Sequence, residues 1–197
     1  MIENALKYVK EIFASDATGH DFYHTMRVYR VAMQIARAEG ADPQIVALSA
    51  LLHDVDDRKL SPETCEGKDR AKAFLHGNGV DREQVDQIIQ IISEISFSAG
   101  CGTPSTLEGR CVQDADRLDA IGAIGVARAF AYGGSRGRAM HDPEGNNDST
   151  TIAHFYQKLL RLKDLMTTET GRNLAEKRDA YLRGFLQEFL EEWEAAD

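Results

Sequence analysis

Residues Leu51 to Asp57 read Leu-Leu-His-Asp-Val-Asp-Asp, an imidazole and a carboxylate on adjacent residues at the end of an apolar run. Such a pair presents two metal ligands from one rigid support. Divalent cations usually take three or four protein ligands, or fill the remainder with water, so other parts of the chain must return to this point. If helical geometry persists through the stretch, at roughly 100° per residue, Asp57 falls between His53 and Asp54 in projection and Asp56 lies far from Asp54. Asp57 is therefore the carboxylate expected to face whatever the pair binds.

The rest of the chain reads as helix after helix. Ile2 to about Phe13 is amphipathic, and a second helix begins near Asp21 and ends at Gly40, a C′ residue. On that helix His24, Val28, Val31 and Ile35 recur at offsets of four, seven and eleven, which puts the imidazole on the buried stripe. A histidine there is either a core residue with a satisfied nitrogen or a ligand; His20 and Arg27 lie about one turn to either side. Asp42-Pro43 launches a third helix straight into the His53-Asp54 pair. After the Ser61–Gly67 loop comes a short helix from about Lys68 to His76. Asp81 and Gln84 then resemble a capping box before the apolar run of Val85, Ile88, Ile89, Ile92 and Ile95.

A loop from Ser98 to Pro104 precedes a long helix expected from about Thr106 to Ala131, which holds Gln-Asp-Ala-Asp-Arg-Leu-Asp-Ala at 113 to 120. Asp116 shares its projected face with Val112, Ala120 and Ala123, and a buried carboxylate needs a cation or strong donors. Asp119, one turn on, could support it. Residues 133 to 150 are rich in glycine and read as an exposed, flexible loop or lid. Two more helices follow, about Thr151 to Met166 and about Gly171 to Ala195. On the first, His154 and Lys158 share a face, either as a solvated pair or as anion donors; on the second, Tyr181, Phe185 and Phe189 form the expected packing stripe, with Arg178 at its edge. The expected fold is all-α, a single-domain helical bundle spanning residues 1 to 197.

Composition narrows the partners. A net charge of −9 argues against binding a nucleic-acid polymer, which depends on neutralising phosphates with Lys and Arg. The N-terminus lacks the apolar core of a signal peptide and no run approaches a membrane span, so a cytoplasmic protein without membrane contact is expected. Cys65, Cys101 and Cys111 show no CxxC spacing and read as reduced thiols. A homodimer is compatible with everything above.

The order His24, then His53-Asp54, then Asp116 resembles the H…HD…D signature of the HD superfamily of metal-dependent phosphohydrolases. The phrases Gly-His-Asp-Phe-Tyr-His-Thr-Met-Arg-Val, Leu-Leu-His-Asp-Val-Asp-Asp and Ala-His-Phe-Tyr-Gln-Lys-Leu-Leu are similar to its small stand-alone bacterial members, over nearly the whole chain. The resemblance implies that His24, His53, Asp54 and Asp116 bind one divalent metal. It also implies that Asp57 stands where related enzymes carry a catalytic acidic residue, often Glu. Two-metal relatives, including the di-iron oxygenases, add histidines that His76, His141 and His154 do not reproduce, so one ion is expected.

Two imidazoles and two carboxylates suit Mn²⁺, Co²⁺, Fe²⁺, Ni²⁺ or Mg²⁺. Four ligands on an octahedral ion leave room for a water and a phosphoryl oxygen, with Asp57 orienting or deprotonating the nucleophile. Arg27, Lys158, Arg178 and His154 are candidates to hold phosphate oxygens. The expected activity is hydrolysis of a phosphorylated small molecule, a (deoxy)nucleoside triphosphate cleaved to release pyrophosphate. The alternatives are a 5′-nucleotidase, a non-catalytic metal-binding signalling module and a di-iron oxygenase.

Overall fold

The computed structural model describes residues 1–14, 21–58, 61–95 and 102–194. His20, Cys101 and most of the Ser98–Pro104 loop lie outside them. The described residues form nine α-helices and no strand, so the protein is all-α. They gather into two compact units, Met1–Asp116 and Arg117–Asp197.

In the first unit α1 (Ile2–Ile12), α2 (Phe22–Glu39), α3 (Pro43–Leu52), α4 (Asp69–Gly77) and α5 (Arg82–Ile95) precede most of α6 (Leu107–Asp119). Helix α3 is the centre of this unit. Every residue from Ile45 to Leu52 is buried, and α1, α2 and α5 all pack on it. A helix apolar all round belongs inside a protein, and this one ends on the His53-Asp54 pair. Its start is set locally: Asp42 accepts hydrogen bonds from the amides of Gln44 and Ile45 at 2.8 and 3.1 Å, with Pro43 at the first helical position. Asp81 caps α5 in the same way, accepting from Gln84 at 3.0 Å. Glu108 in the first turn of α6 accepts the Asp42 amide at 3.1 Å, tying the starts of α6 and α3 together. Gly109 lets α6 come close, since a Cβ there would lie 2.9 Å from the Pro104 Cβ.

In the second unit α7 (Gly122–Ser135), α8 (Thr151–Gln157) and α9 (Glu169–Glu194) pack together. The long helix expected from Thr106 to Ala131 is two helices. It breaks at Ala120–Ile121, and α7 restarts at Gly122, whose φ of 77° is the left-handed conformation glycine tolerates best. A Cβ at Gly122 would also meet the Arg178 side chain at 3.1 Å. The helix expected to run from Thr151 to Met166 stops at Gln157, because Lys158 leaves helical geometry at φ −131° and ψ −58°, and two tight turns, Leu159–Arg161 and Lys163–Leu165, complete the stretch.

Helix α7 runs through Gly133 and Gly134 to Ser135, so the first residues of the stretch read as a loop are helical. Beyond it, Asp142 accepts from the amides of Glu144 and Asn147 at 3.1 and 2.7 Å, and Thr151 and Ile152 donate their amides to Ala139 and Met140. The packing stripe of α9 also differs from expectation. Ala175, Leu182 and Leu186 are its buried apolar side chains, Tyr181 is exposed, and Phe185 and Phe189 join Phe130 and Phe155 in an aromatic cluster with ring centroids 5.8–5.9 Å apart.

Candidate metal centre

Each side chain of the H…HD…D set is placed by a local device. The Asp21 side chain caps α2 by accepting the His24 amide at 2.7 Å, which fixes the first turn and with it the direction of the His24 ring. His24 is buried beside Val28 and Ile35. Helix α3 ends at Leu52, so regular α-helical geometry does not continue through the motif. Instead Val55 donates to Leu52 and Asp57 to Asp54, both three residues back, at 3.3 and 3.0 Å. With about three residues per turn, Asp57 comes round over Asp54, while Asp56 turns elsewhere. Asp57 is partly exposed; Asp56 is wholly buried and accepts the amides of Arg70 and Ala71 at the start of α4, at 3.2 and 3.0 Å.

The four expected ligands meet within the first unit. Asp54 Oδ2 lies 3.2 Å from His53 Nε2 and 3.4 Å from His24 Nε2. Asp116 Oδ1 reaches the same two nitrogens from α6, at 3.4 Å from His24 and 4.0 Å from His53. The two rings stand 5.4 Å apart at 61°. Ligands about 2.2 Å from one ion at right angles lie about 3.1 Å from each other, so this spacing fits a shared divalent cation. Buried imidazoles hold the inner side of the cluster, and the Asp116 side chain, 35% exposed, holds the outer.

The donor set also fits a cation electronically. His53 Nδ1 lies 2.9 Å from the Ala50 carbonyl oxygen, which can only accept, so Nδ1 carries a hydrogen and Nε2 is the nitrogen that faces the two carboxylates. Burial opposes charging the ring, yet the charge and hydrogen bonding of Asp54, with the charge of Asp116, raise the His53 pKa from 6.5 to about 9. An imidazole pulled that far toward its charged form sits where a positive charge is wanted, and the His24, His53 and Asp54 cluster could hold a metal ion.

The comparisons with known proteins follow this geometry. A family model described as "HD domain" matches residues 21–121, which run from the α2 cap past Asp116. The chain belongs to the HD domain family. It is 41% identical over 194 residues to the uncharacterized protein YpgQ of Bacillus subtilis, covering 94% of this chain and 90% of that one. Among solved structures, an HD-superfamily hydrolase from Bacillus thuringiensis matches with a TM-score of 0.83 and 42% identity, over 98% of this chain and 97% of that one. Bacillus subtilis YpgQ in complex with ADP matches with a TM-score of 0.82 and 38% identity, over the same shares. A predicted HD-superfamily hydrolase from an uncultured Thermotogales bacterium matches with 0.69 and 33%, over 97% and 92%.

The remaining candidates stand as follows. Arg27 is half-exposed on α2, just under a turn beyond His24. Asp119, the residue that could support Asp116, is buried with its carboxylate 2.6 Å from the Arg128 guanidinium of α7. Arg178 donates to the Leu118 carbonyl at the end of α6, so part of its guanidinium serves the helix terminus; burial lowers its pKa and the charge of Asp119 opposes that. His154 and Lys158 are half-buried on α8 and at its end. Burial, then the charges of Lys158 and Arg138, hold the His154 pKa below the usual imidazole value. Arg138, from the glycine-rich stretch, lies over the Tyr132 ring at 5.5 Å. Cys65 and Cys111 are free thiols; burial and the charges of Glu39, Asp114 and Glu108 push the Cys111 thiol up to about 12.

Proposed function

We propose that this protein is a metal-dependent phosphohydrolase acting on a nucleotide, and specifically that it cleaves a (deoxy)nucleoside triphosphate between the α and β phosphates. The observation that carries the reading is the approach of Asp54 and Asp116 to both His24 and His53 within 4.0 Å. We assign those four side chains to one divalent ion, Mn²⁺, Co²⁺, Fe²⁺, Ni²⁺ or Mg²⁺. When bound, the ion supplies Lewis acidity toward a phosphoryl oxygen and acidifies water.

The chain's own residues do the rest. Asp57, one three-residue turn past Asp54, takes the proton from the attacking water. The water oxygen bonds to the α phosphorus, the bond to the bridging oxygen breaks, and pyrophosphate leaves with that electron pair. His53 keeps its Nδ1 hydrogen on Ala50, which fixes the ring through turnover. Arg27, His154, Lys158 and Arg178 are the candidates we assign to phosphate oxygens. YpgQ has been crystallised with ADP, which supports a nucleotide as the ligand here. Free thiols at Cys65 and Cys111 suit action in the cytoplasm.

The test is a nucleotide panel on metal-reconstituted protein with product identification. Pyrophosphate and a nucleoside monophosphate are expected from triphosphates. Turnover confined to monophosphates would make the protein a nucleotidase, and one ion bound without turnover of any nucleotide would make it a binding module. Two ions per chain would favour an oxygenase.

A further inference from the structure

Asp56 lies between the two carboxylates assigned to metal and proton transfer, and it reaches neither role. Its carboxylate is wholly buried, and both oxygens are engaged by one helix terminus: Oδ1 by the Arg70 amide at 3.2 Å and Oδ2 by the Ala71 amide at 3.0 Å. Helix α4 has no cap of its own to offer. Its N-cap residue, Lys68, is in the left-handed conformation at φ 54° and makes no side-chain capping bond. The first-turn amides of α4 are thus closed by a residue from the His53–Asp57 turn, far upstream in the sequence, with the helix dipole favouring the negative charge there.

The same turn is held at other points. His53 is tied back to α3 through Ala50; the Ser61 hydroxyl donates to the Val55 carbonyl at 3.2 Å, and the Ser61 amide to Asp57 at 2.8 Å. Because the turn winds with about three residues per revolution, Asp54 and Asp56 project about 120° apart around it. A rotation that releases Asp56 from α4 swings Asp54 away from the two imidazoles.

We propose that Asp56 is a positioning residue of the metal centre: by clamping the first turn of α4 it sets the angle at which the turn presents Asp54 to His24 and His53. The inference rests on the metal-centre reading above. It makes α4, which supplies none of the assigned ligands, part of the support of the site.

The test compares Asp56→Asn with Val9→Ala, a truncation buried in α1, by titrating Mn²⁺ into each folded protein well below its melting temperature. Asp56→Asn nearly preserves volume but loses the charge and one acceptor oxygen. It should weaken Mn²⁺ binding about 10- to 100-fold, as loss of an outer support usually does, whereas Val9→Ala should lower the melting temperature and leave Mn²⁺ affinity unchanged. Should Asp56→Asn fail to fold, the wild-type protein still decides. Coupling is reciprocal, so saturating Mn²⁺ must slow hydrogen exchange at the Arg70 and Ala71 amides relative to Leu75 in the same helix. A wild-type chain that binds Mn²⁺ while Asp56→Asn binds equally well, or while those two amides exchange no more slowly, overturns the inference alone. A wild-type chain that takes up no Mn²⁺ overturns it together with the reading beneath it.

Discussion

His24 on α2 and Asp116 on α6 meet with 3.4 Å between Nε2 and Oδ1, near the two ends of the segment that the HD domain model matches. Neither side chain has a local reason to face the other. Their approach comes from α3, which α2 packs against directly and whose starting residue, Asp42, is bonded to Glu108 in the first turn of α6.

Metal removal is the most direct check on this relationship. An ion that binds the folded chain alone stabilises it by about 2.7 kcal/mol at a hundred times its dissociation constant. Adding Mn²⁺ to chelated protein should therefore raise the melting temperature, and His24→Ala or Asp54→Ala should abolish both the rise and the bound metal. Calorimetry with metal analysis on the same samples reads it; a wild-type protein whose melting is indifferent to Mn²⁺ would count against the site.

Asp57 separates chemistry from binding. Asp57→Asn can still accept a hydrogen bond but cannot take a proton at neutral pH. Turnover should fall about 10²- to 10⁴-fold while one ion per chain is retained. Undiminished turnover would move the catalytic acid elsewhere, and lost metal would make Asp57 a ligand.

The raised His53 pKa gives metal binding a definite pH dependence. Below about 9 the metal-free ring carries a proton on the nitrogen the ion needs, so binding must displace it. Apparent Mn²⁺ affinity should weaken as pH falls from 8.5 to 6.5, by up to about tenfold per unit, with close to one proton released per ion at pH 7.5. Titration in buffers of different ionisation enthalpy counts that proton. The sign for stability is the reverse. The folded pKa lies above the unfolded value, so this group stabilises the metal-free protein fully below about 6.5 and loses that contribution as pH rises through 9. Asp54→Asn, which removes the principal cause of the rise, should flatten the stability trend of the metal-free protein.

Gly122 is a stability prediction outside the site. Its φ of 77° and the Arg178 Cγ 3.1 Å from where a Cβ would stand make Gly122→Ala costly twice over. A loss of about 1–3 kcal/mol is expected, read as a lowered denaturation midpoint with unchanged slope. An unaltered midpoint would mean that the α6–α7 break adapts to a side chain.

Caps and periodicity are local physics, and they were legible. Asp21, Asp42 and Asp81 begin helices because a carboxylate two or three residues before free amides closes them wherever the chain goes. The burial of His24 followed from its place on a 3.6-residue stripe, and the His53-Asp54 pair from its position at the end of an apolar helix. The break between α6 and α7 was not legible, because glycine at 122 serves a left-handed turn as readily as close helix packing, and only the surroundings choose. The fate of the acidic residues was decided by tertiary structure for the same kind of reason. Helical projection set Asp57 apart from Asp56 and pointed to Asp116, but the partner each carboxylate meets depends on which donor the fold brings within about 3 Å. Asp56 met the amides of α4, Asp119 met Arg128, and Asp54 and Asp116 met two imidazoles.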